Sequence, residues 1–169
     1  MIITLIGFMG TGKSTVGQQL ADRIGFGFYD IDDAIENSMK LSIPMIFDVF
    51  GEEYFRSQET EELLKVIKSD KDRVVATGGG IVIAPFNRKI LKKKTEPVLL
   101  QASAEEIYKR VKDDKNRPLL DVADPRAEIA RLMAKRIDYY EEFAIRINTD
   151  GCTVKEIVDK IIIKLGINL

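Results

Sequence analysis

Thr4-Leu5-Ile6-Gly7-Phe8-Met9-Gly10-Thr11-Gly12-Lys13-Ser14-Thr15 is the stretch whose reading decides the fold. An apolar run from Met1 to Ile6 stops at a glycine, Gly7 to Ser14 fits G-x-x-x-x-G-K-[ST], and a helical pattern follows. Strand before and helix after is the setting in which this motif forms a phosphate-binding loop. Glycines at Gly7, Gly10 and Gly12 let successive backbone N–H groups point into one concavity, which the positive end of the next helix dipole also faces. Lys13 adds a mobile cation for outer phosphates. The Ser14 hydroxyl is a small hard oxygen suited to Mg²⁺. The chain therefore reads first as a binder of nucleotide phosphates.

A length of 169 residues is typical of one domain, here taken as 1–169, and leaves room for a core. Lys and Arg number 26 against 27 Asp and Glu, a balance with no sign of nucleic-acid binding or of a polybasic membrane binder. No apolar run approaches the ~20 residues of a membrane span, and the N-terminus enters the first strand without a signal pattern. Cys152 is the one cysteine, so no intrachain disulfide framework forms and a reducing compartment is expected. A cytoplasmic enzyme is the default. The absence of histidine excludes His-based triads, His-ligated zinc and His general bases, and leaves Cys152 without an activating imidazole.

Working outward, Val16, Leu20 and Ile24 share a face of a first helix that Gly25 stops. Phe26 to Tyr29 reads as a short strand ending at Asp30-Ile31-Asp32-Asp33, where a helix with Ile31, Ile35 and Met39 begins. Ser42 is expected to cap a short helix to Phe50, closed by Gly51, and Glu52 to Ile67 a longer one. Arg73 to Thr77 is a buried-type strand running into Gly78-Gly79-Gly80. Pro85 opens a helix ending at Lys92-Lys93-Lys94, and Val98 to Gln101 is a strand. Ser103 and Glu106 have capping-box spacing for a helix to about Val111. Residues 112 to 124 break the pattern and read as a lid loop. Asp124-Pro125 starts a long helix to about Phe143. Ile145 to Asn148 is the last strand, and a second capping box at Thr153 and Glu156 opens the closing helix. Short apolar strands alternating with helices predict an α/β fold: a parallel sheet with both faces covered and its ligand site at the carboxyl ends of the strands.

Asp30 and Asp32 stand where a strand becomes a helix. They read equally as an N-cap cluster and as ligands of a metal and a second substrate. The triple glycine Gly78–Gly80 reads as a structural turn or as bare backbone against an anion. Arg56, with Glu59 three residues on and Phe55 beside it, and Arg136, one turn from Tyr140, read on spacing alone as solvated. Arg117, in the lid, is placed either to close over a terminal phosphate or to sit as a loop cation. Arg110 is a candidate to stack on adenine.

These pieces, in this order, resemble the shikimate kinase family over essentially the whole chain. The resemblance rests on Gly7 to Thr15, Asp30-Ile31-Asp32, Gly51-Glu52 with Phe55-Arg56, Gly78–Gly80, Arg117-Pro118-Leu119-Leu120 and Arg136. It implies a three-layer α/β/α P-loop kinase fold like that of nucleoside monophosphate kinases, with a five-stranded parallel sheet, a substrate-binding region at about 31–62 and a lid at about 112–124. It implies ATP- and Mg²⁺-dependent phosphorylation of the 3-hydroxyl of shikimate. Gly10, Thr11, Gly12, Lys13, Ser14 and Thr15 would then contact ATP, with Arg110 near adenine and Arg117 on the phosphates. Ser14 would ligate Mg²⁺ and Asp30 would support it through water. Asp32 would bind the shikimate hydroxyls, Arg56 and Arg136 would clamp its carboxylate, and Gly78–Gly80 would complete the pocket. Lys13, Asp32 and Arg117 would be catalytic. The expected partner is this small molecule alone, for a monomer free of nucleic acid and membrane. Two places depart from the family pattern. Asn148-Thr149-Asp150-Gly151-Cys152-Thr153 lacks the usual proline, which leaves adenine contacts there open, and Pro44 falls unexpectedly in the Ser42–Phe50 helix. Gluconate kinases, the nearest rivals, typically carry Asp-Gly-Asp and a histidine where this chain has Asp-Ile-Asp. A nucleotide acceptor would not explain the triple glycine with Arg136, and a binding-only domain would be expected to lose Lys13, Asp32 or Arg117.

Overall fold

The computed structural model describes residues 1–114 and 116–168; Lys115, within the expected lid, and Leu169, at the end of the expected 1–169 domain, lie outside the described residues. The strands are β1 (Ile2–Ile6), β2 (Gly27–Asp30), β3 (Arg73–Ala76), β4 (Glu96–Gln101) and β5 (Ile145–Asn148). They form one sheet in the order β2-β3-β1-β4-β5 with every neighbouring pair parallel, as expected. β4 starts two residues before Val98, because Glu96 and Pro97 pair with Ile3 and Thr4. Pro97 lacks an N–H, and it lies outside the register with β5, which begins at Val98.

The helices are α1 (Lys13–Ile24), α2 (Ile31–Met39), α3 (Ile43–Ile67), α4 (Pro85–Lys94), α5 (Ala104–Val111), α6 (Pro125–Glu141) and α7 (Val154–Leu165). Ile3 and Leu5 of β1 and Val98 and Leu100 of β4 pack with Val16, Leu20 and Ala21 of α1 and Ile157, Val158 and Ile161 of α7. Ile6 and Leu99, one residue out of step, join the core formed with α2 to α6. Period-two alternation thus sorts the apolar residues of β1 and β4 into two layers. Among the described residues no helix is long and apolar enough to cross a membrane.

The two helices expected on either side of Gly51 form one element, α3, with a break at that residue (φ 83°, ψ 167°). Pro44 stands in the first turn of α3, where a missing N–H costs nothing. The Ser42 side chain makes no cap hydrogen bond; Ile43 N–H instead donates to Glu36 Oε1 of α2 at 2.7 Å. The capping box at Thr153 and Glu156 is complete. The one at Ser103 is half formed. Ser103 Oγ accepts from Glu106 N–H, but the Glu106 carboxylate turns to Arg110, and Ser103 N–H donates to Asp150. α6 stops at Glu141, two residues short of Phe143, whose ring is buried.

Leu20 is fully buried between the sheet and α7. Leu20→Ala is expected to lower unfolding free energy by about 3 kcal/mol. Urea titration should show this as a lower midpoint at unchanged m-value.

Candidate active site

The carboxyl ends of β1, β2 and β3 bring together the phosphate loop, Asp30–Asp32 and Gly78–Gly80. Gly12 caps α1 in the left-handed region (φ 90°) and offers no side chain, so the first-turn N–H groups of α1 have no side-chain acceptor. That is the arrangement an incoming phosphate satisfies. Lys13 folds back over the loop and donates from Nζ to the carbonyls of Gly7 and Phe8, each at 2.9 Å. Burial pushes the Lys13 ammonium down to about 8; Asp32 opposes that shift and Arg117 reinforces it.

Ser14 Oγ donates to Asp30 Oδ2 at 2.6 Å, while Asp30 Oδ1 accepts from the N–H groups of Asp32 (3.0 Å) and Asp33 (3.4 Å). Asp30 thus takes the N-cap role, one oxygen capping α2, while its other oxygen accepts from Ser14 of the phosphate loop. A hydroxyl beside a carboxylate is an all-oxygen donor set, which fits Mg²⁺ held by Ser14 directly and by Asp30 through water.

Two adjoining spaces open here. The larger, about 650 Å³, is lined by Gly12, Lys13, Ser14, Asp30, Arg110 and Arg117 among others. The smaller, about 60 Å³, lies between Arg56, Glu59, Gly78–Gly80 and Arg136, with Arg117 to Leu119 at its rim. Asp32, Gly79 and Arg117 border both, so the two spaces meet at one carboxylate and one guanidinium.

The smaller space corrects the reading made from spacing. Arg56 and Arg136 are not solvated: the Arg56 side chain is 18% exposed and Arg136 is 5% exposed. Arg56 Nη1 donates to Glu59 Oε2 at 2.7 Å, and Arg56 Nη2 donates to Glu52 Oε1 at 2.8 Å. Arg136 lies 5.5 Å from the Phe8 ring centroid and donates to the Gly79 carbonyl. It makes no ion pair among the described residues. Buried Tyr140 donates its hydroxyl to the same carbonyl at 2.8 Å, and burial holds the phenol neutral with its pKa up at about 12.

Sequence reasoning missed Glu59 and Tyr140 as parts of this site. Glu59 is 1% exposed, grips Arg56, and leaves Oε1 without a hydrogen-bond partner among the described residues. Its signal was the i,i+3 spacing to Arg56 on a helix that Phe55 already marked as half buried. For Tyr140 it was the i,i+4 spacing to Arg136.

The glycine run has a physical reason beyond a turn. A Cβ on Gly78 would overlap Glu59 Oε1 and crowd Asp32 Oδ1, and one on Gly80 would overlap the Arg56 guanidinium. Asp32 Oδ1 is itself buried without a partner among the described residues. Burial lifts the Asp32 carboxyl to about 7, with Glu59 and Asp30 adding repulsion and Lys13 opposing it.

Arg110 spends its edge within the protein. It donates to Glu106 (2.9 Å), to the Gly10 carbonyl (3.2 Å) and to Thr149 Oγ1 (3.1 Å) and O (3.2 Å). These bonds tie the Thr149–Cys152 turn to the phosphate loop.

A phosphate cradle, a hard-oxygen metal position and an adjoining pocket of arginines and a carboxylate define a P-loop small-molecule kinase. The family model for shikimate kinase matches residues 9–166. A shikimate kinase of Thermodesulfovibrio yellowstonii is 46% identical over 160 residues, covering 95% of this chain and 92% of the relative. One from Francisella tularensis subsp. novicida is 42% identical over 160 residues, covering 94% and 91%. The solved structure of shikimate kinase from Acinetobacter baumannii in complex with shikimate superposes with a TM-score of 0.93 at 36% identity, covering 99% of this chain and 94% of that one. The chain belongs to the shikimate kinase family.

The raised Asp32 carboxyl carries a stability consequence. Its folded value of about 7 lies above the ordinary value near 4, so folding favours the protonated form. The stability it contributes is present below pH ~4 and is lost as pH rises through ~7. Asp32→Asn should therefore melt several degrees higher than the parent at pH 8 and show no such gain at pH 4, measured by thermal denaturation at both values.

Proposed function

We propose that this chain, acting as one unit over 1–169, transfers the terminal phosphoryl group of ATP to the 3-hydroxyl of shikimate, giving shikimate 3-phosphate and ADP on the route to chorismate. The observation that carries this reading is Arg136. A buried guanidinium with no ion pair among the described residues, beside Arg56 and the unpartnered Asp32 oxygen, matches a small acceptor bearing both a carboxylate and hydroxyls. Bound shikimate in the A. baumannii relative supports the same assignment.

In this reading ATP occupies the larger space, its phosphates on the loop N–H groups of Gly10, Thr11, Gly12, Ser14 and Thr15. Lys13 leaves the Gly7 and Phe8 carbonyls to meet the β- and γ-phosphates. Ser14 directly and Asp30 through water would hold Mg²⁺, which would supply charge neutralisation at the phosphates. Arg56, fixed by Glu59, and Arg136, fixed by the Gly79 carbonyl, clamp the carboxylate, and Gly78–Gly80 leave room for that clamp. Asp32 orients the acceptor hydroxyl and takes its proton as the oxygen–phosphorus bond forms and the bond to ADP breaks. Arg117 stabilises the charge on the transferring group. In this reading no residue beyond this chain is called on, and the state proposed with it is a monomer with a small molecule as its partner. The near balance of cations and anions supports an enzyme of the cytoplasm that binds neither nucleic acid nor membrane.

Purified protein with ATP and Mg²⁺ should release ADP when shikimate is added and little when gluconate or AMP replaces it. Turnover of either alternative without turnover of shikimate overturns the assignment. Arg136→Ala should raise KM for shikimate by about 30- to 100-fold with a smaller effect on kcat, as for a lost charge-assisted pair. Arg117→Ala should lower kcat by about 10²-fold or more. Because Asp32 must be ionised to take a proton and Lys13 must stay protonated to meet the phosphates, kcat/KM should rise with pH through about 7 and fall again above about 8.

A further inference from the structure

Arg117 lies in a segment with little regular structure. Among the described residues between α5 and α6 the one regular element is the 3₁₀ turn Pro118–Leu120, and the Arg117 side chain is 37% exposed. A side chain this free loses much of its value as a transition-state cation, because its ordering must be supplied at each turnover. The structure contains a device that supplies the order in advance. Asp114 Oδ1 accepts from Asn116 N–H at 2.9 Å, which fixes the carboxylate against the loop backbone. Asp114 Oδ2 accepts from Arg117 Nε–H, also at 2.9 Å. Holding Arg117 by Nε leaves the other edge of the guanidinium, with Nη1 and Nη2, turned away from the carboxylate. Asp114 and Arg117 border the phosphate space together, and Arg117 lies close enough for its charge to act at both Lys13 and Asp32.

We propose that Asp114 is a positioning residue for phosphoryl transfer: it touches neither substrate and acts by holding Arg117 through Nε, so that the Nη edge meets the transferring phosphoryl group. This rests on the reading of Arg117 given above. The Asn116 N–H, followed by the Arg117 charge, keeps the Asp114 carboxyl below the usual carboxylate range, so the holding group is ionised wherever the enzyme turns over. Because the pair is partly exposed, it adds little to global stability, and its loss should be read in kinetics and not in melting.

The test is a double-mutant cycle on the purified enzyme with ATP, Mg²⁺ and shikimate. Asp114→Ala should lower kcat by about tenfold, with KM for shikimate within about twofold of the parent and melting unchanged. Asp114→Asn, which keeps an oxygen acceptor, should recover part of that loss. In the Arg117→Ala background Asp114→Ala should cost nothing further, since the group it positions is gone. An equal loss in both backgrounds, a loss confined to shikimate KM, or a faster Asp114→Ala enzyme each overturns the inference. Full turnover by Arg117→Ala alone overturns the role given to Arg117 and this inference with it, while leaving shikimate phosphorylation standing.

Discussion

β1 is the constraint on which the molecule depends. It is hydrogen-bonded to β3 on one side and β4 on the other, and it is covered on both faces. A strand enclosed in this way has no lateral outlet for polar groups, so what it delivers to solvent emerges at its carboxyl end. The phosphate loop emerges there. Because β2 and β3 run parallel to β1, Asp30 and Gly78 arrive on the same edge, and the two halves of the site are neighbours by topology before any side chain contributes.

The site holds its charges in unfavourable states. Around the smaller space Arg56, Arg117 and Arg136 face Asp32 and Glu59, an excess of one cation before Lys13 is considered. Burial works against the ionised forms of Lys13 and Asp32, and both are displaced toward neutrality although each pulls the other back. Such a cluster is resolved by ligands. In the function proposed above, phosphates and a carboxylate would bring the anions that the arginines and Lys13 lack, and a hydroxyl would meet the Asp32 oxygen that has no partner among the described residues. Substrate binding therefore completes an electrostatic arrangement that folding leaves incomplete, and part of the stability of the empty protein is spent on affinity.

The sequence made legible whatever is local. The phosphate loop, the strand-to-helix switch at Asp30 and the helix starts at Thr153 and Asp124 each depend on residues within a few positions of one another, and the structure shows them all. Reach across the chain was not legible. A charged residue on a helix reads as a solvent face, and nothing near Arg136 announces that Gly79, 57 positions away, will cover it. Glu59 failed for the same reason: its burial is set by Gly78 and Arg56 together, through the fold. Ser103 shows the reverse error. The spacing to Glu106 was right, but Arg110 and Asp150 were stronger competitors for the groups involved, and neither is visible within the four-residue motif. The family resemblance recovered the two arginines because it carries tertiary information that spacing lacks.

The Gly78–Gly80 run has an evolutionary consequence. Its bare positions are filled by the protein's own carboxylates and guanidinium, so a methyl group added there would strike Glu59, Asp32 or Arg56 before it met any ligand. Substitution at Gly78 or Gly80 would therefore damage the recognition machinery itself, and these positions offer no route by which the chain could drift toward a different acceptor or escape an acceptor-mimicking inhibitor while keeping its activity. A change of specificity has more room elsewhere in the lining, at Ile43 and Phe47 of α3 and at Pro118 and Leu119, which are half-buried and do not meet the Gly78–Gly80 backbone so closely.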